Sequence, residues 1–157
     1  MQKNNLKYYL FFILLCEAVG IASAWITKDS MSLYSMGIVQ PPLSPPAIVF
    51  PIVWTILYAL MGIGAARVYL ADMANAPRNL LFFFLQLIVN FFWSIIFFNL
   101  QAFGFAVIWT VLLLILIIAM ILSFYRVDRL AAALQLPYLL WVSFATYLTI
   151  GVWLLNR

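Results

Sequence analysis

Long apolar stretches, separated by short polar ones, divide the chain into five segments. They run over residues 6–27, 45–70, 79–100, 103–125 and 131–155. Each holds the roughly 20 mostly apolar residues that an α-helix needs to cross the hydrocarbon core of a bilayer. The pattern therefore predicts an all-α membrane protein, a five-transmembrane-helix bundle that forms a single domain over residues 1–157.

Composition supports an environment of lipid rather than water. The chain is 68% hydrophobic and 8% charged, whereas a soluble domain carries about 25% charged residues. It has no histidine, and its one cysteine, Cys16, excludes an internal disulfide. The basic residues lie at segment ends and not in one cluster, which argues against a nucleic-acid partner.

The distribution of basic residues predicts how the chain lies in the membrane. Six of the eight basic residues fall on the side of the membrane that holds the N-terminus: Lys3, Lys7, Arg67, Arg78, Arg126 and Arg129. Two fall on the other side, Lys28 and Arg157. Cytoplasmic loops are enriched in Lys and Arg. We therefore expect a multi-pass protein of the cell membrane with its N-terminus in the cytoplasm and its C-terminus outside. The first connection, residues 28–44, then faces outward, and we expect it to act as a lid.

The first segment has a second interpretation as a signal peptide. Two lysines precede its apolar run, and Ala22-Ser23-Ala24 resembles a cleavage site. Glu17 interrupts the apolar run, which favours a retained helix. As the only carboxylate within a span, Glu17 is expected to hydrogen-bond a neighbouring helix, with a proton relay as the alternative.

One face of the third segment carries polar and aromatic side chains at helical spacing: Gln86, Asn90, Trp93 and Phe97. Polar groups at membrane depth face the bundle interior because lipid offers them no partner. The face is either a hydrogen-bonded clamp between helices or the wall of a pocket.

Proline and aromatic residues mark the second and fifth segments. Ser44 is a candidate N-cap before Pro45, and Pro51 is expected to kink the helix by removing a bond to the Ala47 carbonyl. Pro137 is expected to kink the fifth helix. Aromatic stripes follow each proline, at Phe50, Trp54 and Tyr58 and at Tyr138 and Trp141, and Ala145 leaves room beside the second indole.

These stretches together resemble the TspO/MBR family, the tryptophan-rich sensory proteins whose animal members are called translocator protein or peripheral benzodiazepine receptor. The resemblance rests on three motifs in order: PPAIVFPIVWTILYALMG at 45–62, QLIVNFFWS at 86–94 and PYLLWVSFAT at 137–146. Trp153 and Asn156 match the end of the family pattern. The chain departs from that pattern at Leu43, where a tryptophan is usual, and at Thr149, where asparagine is frequent.

The resemblance implies a five-helix bundle, commonly a homodimer, with a pocket that opens toward the first loop. Family members bind tetrapyrroles such as protoporphyrin IX and benzodiazepine-site drugs of the isoquinoline carboxamide type. Bacterial members are implicated in light-dependent breakdown of porphyrin. For this chain the resemblance implies a tetrapyrrole partner, no required cofactor, and protoporphyrin IX as ligand or substrate.

Aromatic walls with few polar groups suit a large flat macrocycle. We expect the pocket between helices 1, 2, 3 and 5, in the outer half of the bundle. Its expected ligand-binding residues are Tyr34, Pro45, Phe50, Trp54, Tyr58, Asn90, Trp93, Tyr138, Trp141 and Ala145. The absence of histidine excludes ordinary histidine ligation of haem iron and favours a metal-free porphyrin, so no metal site is expected.

Trp54 and Trp141 are the candidate catalytic residues. Indole is easily oxidised, and an indole held against an excited porphyrin is a plausible electron donor. The alternative is that both indoles only stack on the ring.

Two other function classes stay open. A transporter of porphyrin or other small hydrophobic molecules is weakened by the few polar groups within the spans. A sensor that reports its ligand would need a partner protein, because the loops are too short to hold a signalling domain.

Overall fold

The computed structural model describes residues 3–157, with side chains from Asn4 onward, and within that range the regular structure is helical, with no strand. Five long helices are α1 (Lys3–Gly37), α2 (Val49–Ala71), α3 (Leu81–Asn99), α4 (Phe103–Tyr125) and α5 (Arg129–Leu155). In this part of the chain all five are long and apolar enough to cross a bilayer. The predicted five-helix membrane fold is confirmed.

The helices form a ring in which α1 packs on α2, α2 on the Arg129–Ala133 part of α5, α5 on α4, α4 on α3, and α3 on α1. The main core fills the half of the ring that holds the chain's N-terminal end, where Met61, Phe83 and Phe124 are fully buried. α1 and α2 approach closely at Gly62, because a Cβ there would lie 2.5 Å from the Ile13 Cα. Small residues permit such backbone contact between membrane helices.

α1 is longer than predicted. Its helix continues ten residues beyond residue 27 to Gly37, and a 35-residue helix is about 52 Å long, well beyond the hydrocarbon core. The prediction ended the helix where charged residues begin. However, hydropathy marks where the chain leaves lipid, not where the helix ends, and no proline or glycine interrupts residues 28–36. The connection to α2 is therefore residues 38–48, which we call the roof loop, and not residues 28–44.

The start of α2 also differs from the prediction. The helix begins at Val49, not at residue 45, and the Ser44 hydroxyl donates to the Pro41 carbonyl at 2.8 Å instead of capping the helix. Consecutive prolines disfavour helical conformation in the residues before them, which delays the helix. Pro51 falls in the first turn, where a backbone N–H has no intrahelical partner in any case. The predicted loss of a hydrogen bond to the Ala47 carbonyl therefore does not occur.

α3 and α5 are each irregular at one place. α3 ends in a π-helical stretch, Ile95–Asn99, that the sequence pattern did not predict. α5 consists of Arg129–Ala133 and Leu136–Leu155, and the chain leaves the helix at residues 134–135, just ahead of Pro137. Pro137 lacks the N–H that would bond the Ala133 carbonyl, so the predicted break lies one turn earlier than the proline itself.

The connections opposite the roof loop carry charge. Asp128 accepts a hydrogen bond from the Ala131 N–H at 2.9 Å and pairs with Arg67 of α2 at 2.8 Å. Although partial burial acts in the opposite direction, these two partners hold the pKa of Asp128 below its usual range. Hydrogen bonds from Asn75 and Asn79 likewise lower the pKa of Asp72. One ion pair and hydrogen bonds to carboxylates therefore stabilise this end of the bundle.

Candidate functional site

A cavity of about 140 Å³ lies beneath the roof loop, among α1, α2, α3 and α5. It is the position at which the sequence places a pocket. The lining comes from Met31, Tyr34, Ser35, Gln40, Ser44, Pro45, Ala47, Phe50, Trp93, Phe97, Phe98, Ala145, Leu148 and Thr149.

The α3 wall of the cavity is an aromatic stack. The Trp93 indole lies parallel to the Phe97 ring, with centroids 5.0 Å apart and planes 14° apart. Its Nε1–H donates to the Thr110 hydroxyl of α4 at 2.8 Å, and that hydroxyl donates to the Ala106 carbonyl. Because this bond fixes the ring plane, Trp93 presents a preset aromatic surface to the cavity.

The α1 wall exists only because α1 continues to Gly37. Tyr34, in its last turn, packs against Phe97 and edge-on against Phe98, with centroids 5.4 and 5.3 Å apart. The π-helical stretch brings these two phenylalanines to the cavity. π-Helical turns insert an extra residue and are frequent at functional sites.

The polar groups of the lining are neutral. Hydroxyls of Tyr34, Ser35, Ser44 and Thr149 and the Gln40 amide supply them, and none of the described lining residues is an acid or a base of the Asp, Glu, Lys or Arg type. The Thr149 hydroxyl donates to the Ala145 carbonyl of its own helix. Such a surface suits a flat apolar molecule with a few hydrogen-bonding groups.

Half of the predicted ligand-binding residues line this cavity: Tyr34, Pro45, Phe50, Trp93 and Ala145. Tyr58, Asn90 and Tyr138 lie deeper and are buried. Asn90 donates to the Tyr58 hydroxyl at 3.0 Å, and Tyr138 donates to Gln86 at 2.6 Å. Gln86 and Asn90 therefore act as clamps between α3 and its neighbours, while Trp93 on the same face forms cavity wall.

Trp54 and Trp141 lie outside the cavity lining. Trp54 packs against Tyr58 and Tyr138, with centroids 5.4 and 6.1 Å apart. Trp141 lines an apolar groove of about 410 Å³ between α2 and α5, together with Val53 and Phe144. Phe50 connects the two regions, because it lines the cavity and meets the Trp141 ring edge-on at 5.8 Å.

Several lining residues were not predicted, chiefly Met31, Ser35, Gln40, Ala47, Phe98 and Leu148. Met31 lies three residues before Tyr34, so helical spacing would have identified it if the sequence analysis had continued α1 to Gly37. Glu17 is also a correction. It is half-buried, and among residues 3–157 no hydrogen bond joins it to a neighbouring helix, contrary to expectation.

Comparison with known proteins places the chain. The TspO/MBR family profile matches residues 12–154. The chain is 40% identical to the tryptophan-rich protein TspO of Chlorobaculum tepidum over 90% of its own length and 91% of that protein. It is 36% identical to the TspO of Archaeoglobus fulgidus (97% and 99% covered) and 32% identical to human translocator protein (85% and 80% covered). Because these matches extend over most of its length, and because its structure is a five-helix bundle, the chain belongs to the TspO/MBR family.

Proposed function

We propose that this membrane protein binds a metal-free tetrapyrrole, protoporphyrin IX, in the cavity beneath the roof loop. The observation that carries the proposal is the stack of Trp93 on Phe97, held by Thr110, in a cavity whose described lining residues carry no charge. A porphyrin face stacks on such a surface, and the Ser44 hydroxyl and Gln40 amide of the roof loop supply hydrogen-bonding groups for polar substituents. The resemblance to porphyrin-binding members of the family supports the same ligand class.

The cavity is smaller than the ligand in this conformation of the roof loop. Ligand pockets occupy about 300–1,000 Å³, and a cavity of 150 Å³ accommodates benzene. A cavity of about 140 Å³ must therefore enlarge to admit a macrocycle. The roof loop is the one part of the lining that is not helical, and among residues 3–157 it is the longest connection without a helix, so we propose that it moves and serves as the lid.

The test is a titration of purified protein with protoporphyrin IX in darkness, followed by absorbance and by quenching of tryptophan fluorescence. We expect a saturable shift of the porphyrin absorbance with a 1:1 endpoint per chain. A shift that rises linearly with detergent micelle concentration, and not with protein, would contradict the proposal.

We further propose that the bound porphyrin is degraded in light. An excited porphyrin takes one electron from an indole, leaving a porphyrin radical anion and an indole radical cation, and dioxygen is the oxidant that the later ring opening consumes. Trp93 is the proposed donor that lines the cavity, whereas Trp54 and Trp141, the donors expected from the sequence, lie outside that lining and would contact the ring only after the cavity enlarges toward them. The competing interpretation is that the indoles only stack and that bleaching is ordinary photochemistry of a bound dye.

Transport or sensing remains the alternative use of the same cavity. Flux of protoporphyrin IX into protein-containing liposomes, compared with protein-free liposomes, separates transport from binding.

Isoquinoline carboxamide drugs are proposed to compete for the cavity, and displacement of bound porphyrin by such a compound measures this competition. A homodimer is proposed from the family resemblance, and light scattering of the detergent-solubilised protein tests it.

The proposed location is the cell membrane, with the N-terminus cytoplasmic and the C-terminus and roof loop outside. It rests on the six-to-two distribution of basic residues across the two ends of the bundle. A reporter enzyme that works only outside the cytoplasm, fused after Arg157, should be active. Activity of a cytoplasm-only reporter at the same position would reverse the orientation.

A further inference from the structure

The roof loop is attached to the C-terminal turns of α5 at three separate points. Val39 and Asn156 form a reciprocal pair, in which the Val39 N–H donates to Asn156 Oδ1 at 3.0 Å and Asn156 Nδ2 donates to the Val39 carbonyl at 2.8 Å. The Tyr147 hydroxyl donates to the Pro42 carbonyl at 2.8 Å. These contacts join positions more than 100 residues apart in the chain.

The third attachment is steric. Pro41 is the buried residue of the roof loop, and it packs on α5 at Gly151, where a Cβ would lie 2.5 Å from the proline Cβ and 2.8 Å from its Cγ. A proline ring cannot swing aside as a flexible side chain does. Any residue larger than glycine at 151 must therefore displace the loop backbone or the helix.

The attachments lie on one strip of α5. Tyr147 and Gly151 are one helical turn apart, so they share a face, and Asn156 follows at the end of the helix, where its amide also bonds the Val152 carbonyl. The same helix contributes Ala145, Leu148 and Thr149 to the cavity. The helix that forms one wall of the cavity thus also holds its roof.

We propose that the C-terminal strip of α5, formed by Tyr147, Gly151 and Asn156, is a latch that keeps the roof loop closed and so determines how fast a ligand enters and leaves. For the identity of the ligand the inference rests on the proposed function. A ligand larger than the cavity of about 140 Å³ enters fully only when the latch is open. Weakening the latch therefore accelerates both association and dissociation.

Two substitutions test the latch without touching the reciprocal pair that reports on it. Gly151→Ala adds the overlapping Cβ, and Tyr147→Phe removes one hydrogen bond from an exposed ring. Gly37→Ala is the matched control for the first, because a Cβ at Gly37 has no neighbour within 4 Å. Tyr125→Phe, at an exposed tyrosine at the opposite end, is the control for the second.

Amide hydrogen exchange at Val39 is the primary measurement, made on ligand-free protein. Since neither variant changes the bond between Val39 and Asn156, faster exchange there reports opening of the whole loop. We expect exchange about fivefold faster in Tyr147→Phe, the effect of one net hydrogen bond, and about tenfold or more in Gly151→Ala. Both controls should leave it unchanged. A double variant, Pro41→Gly with Gly151→Ala, lacks the proline ring that the new Cβ would overlap. Val39 should therefore exchange at about the same rate in the double variant as in Pro41→Gly alone.

Stopped-flow mixing with protoporphyrin IX gives the second measurement, and both rate constants should rise in the two latch variants. Unchanged Val39 exchange in both variants would overturn the latch. Faster exchange with unchanged porphyrin rates would overturn its control of access. If the unaltered protein binds no protoporphyrin IX, the proposed function fails, while the exchange measurement still decides whether the latch exists.

Discussion

The two ends of the bundle are built in different ways. At the opposite end from the roof loop, large side chains such as Phe83, Met120 and Phe124 are fully buried, and the ion pair of Arg67 with Asp128 ties α2 to α5. At the roof-loop end the buried cluster is small, a cavity remains open, and neutral hydrogen bonds hold the loop. We expect the packed end to maintain the helix arrangement while the roof loop opens.

The largest expected effect is on stability, from the packed end. Phe83→Ala should lower the free energy of unfolding by about 3–5 kcal/mol, because the ring is fully buried and leaves a cavity. Phe84→Ala is the matched control, since its neighbouring ring faces outward with 42% exposure. Reversible unfolding in mixed detergent measures both. Equal losses from the two substitutions would mean that this end is not the packed frame described above.

The second effect is on binding, from the roof-loop end. Ala145→Leu should weaken protoporphyrin IX binding by about tenfold or more, because overfilling a packed site costs about 1–3 kcal/mol and Ala145 lines the cavity. Ala24→Leu, at an exposed alanine of α1, is the control. Fluorescence titration measures the affinity, and thermal unfolding checks the fold. Unchanged affinity in folded Ala145→Leu protein would place the ligand elsewhere.

The third effect returns to the packed end and depends on pH. Asn caps a helix about as well as Asp, so Asp128→Asn removes mainly the charge, and the loss should be about 1 kcal/mol at pH 7 because the pair is partly exposed. The pKa of Asp128 is lower in the folded protein than unfolded. Its contribution is therefore complete above the unfolded value near 3.9 and disappears as the pH falls through the folded value.

Unfolding of both proteins between pH 7 and pH 3 measures this contribution, and their difference should shrink as the solution is acidified. Asp29→Asn, at an exposed aspartate outside the ion pair, should give no comparable loss. A difference that grows toward low pH would contradict the assignment of the charge effect to Asp128.

The substitutions expected to change the structure least replace the indoles, and they test the proposed photochemistry at the roof-loop end. Trp54→Phe, Trp93→Phe and Trp141→Phe keep an aromatic ring but remove the easily oxidised donor. Binding in darkness should persist, and light-driven loss of porphyrin should slow most in the variant whose indole contacts the ring. If all three variants degrade porphyrin at the original rate to the original product, the tryptophans are walls and not reactants.

The sequence by itself determined the number of helices, the family and the location of the cavity among four of the five helices. These follow from hydropathy and from motifs whose residues are close in the chain, such as Phe50, Trp54 and Tyr58, because helical spacing alone places these three on one face. The predicted first and last residues of α4, 103 and 125, are those of the helix in the structure. Gln86 was recognised as a clamp candidate because a buried amide in lipid requires a partner.

Only the tertiary structure decided which aromatic residues reach the cavity and what closes it. Trp54 and Trp141 share a helix face with Phe50 and Ala145, yet they lie outside the lining, because each is one helical turn further from the roof loop than its cavity-lining neighbour. The extension of α1 to Gly37 brought Tyr34 to the site, and the contacts of Pro41 with Gly151 and of Val39 with Asn156 join distant parts of the chain. Such pairings depend on how the ring of helices closes, which local spacing does not encode.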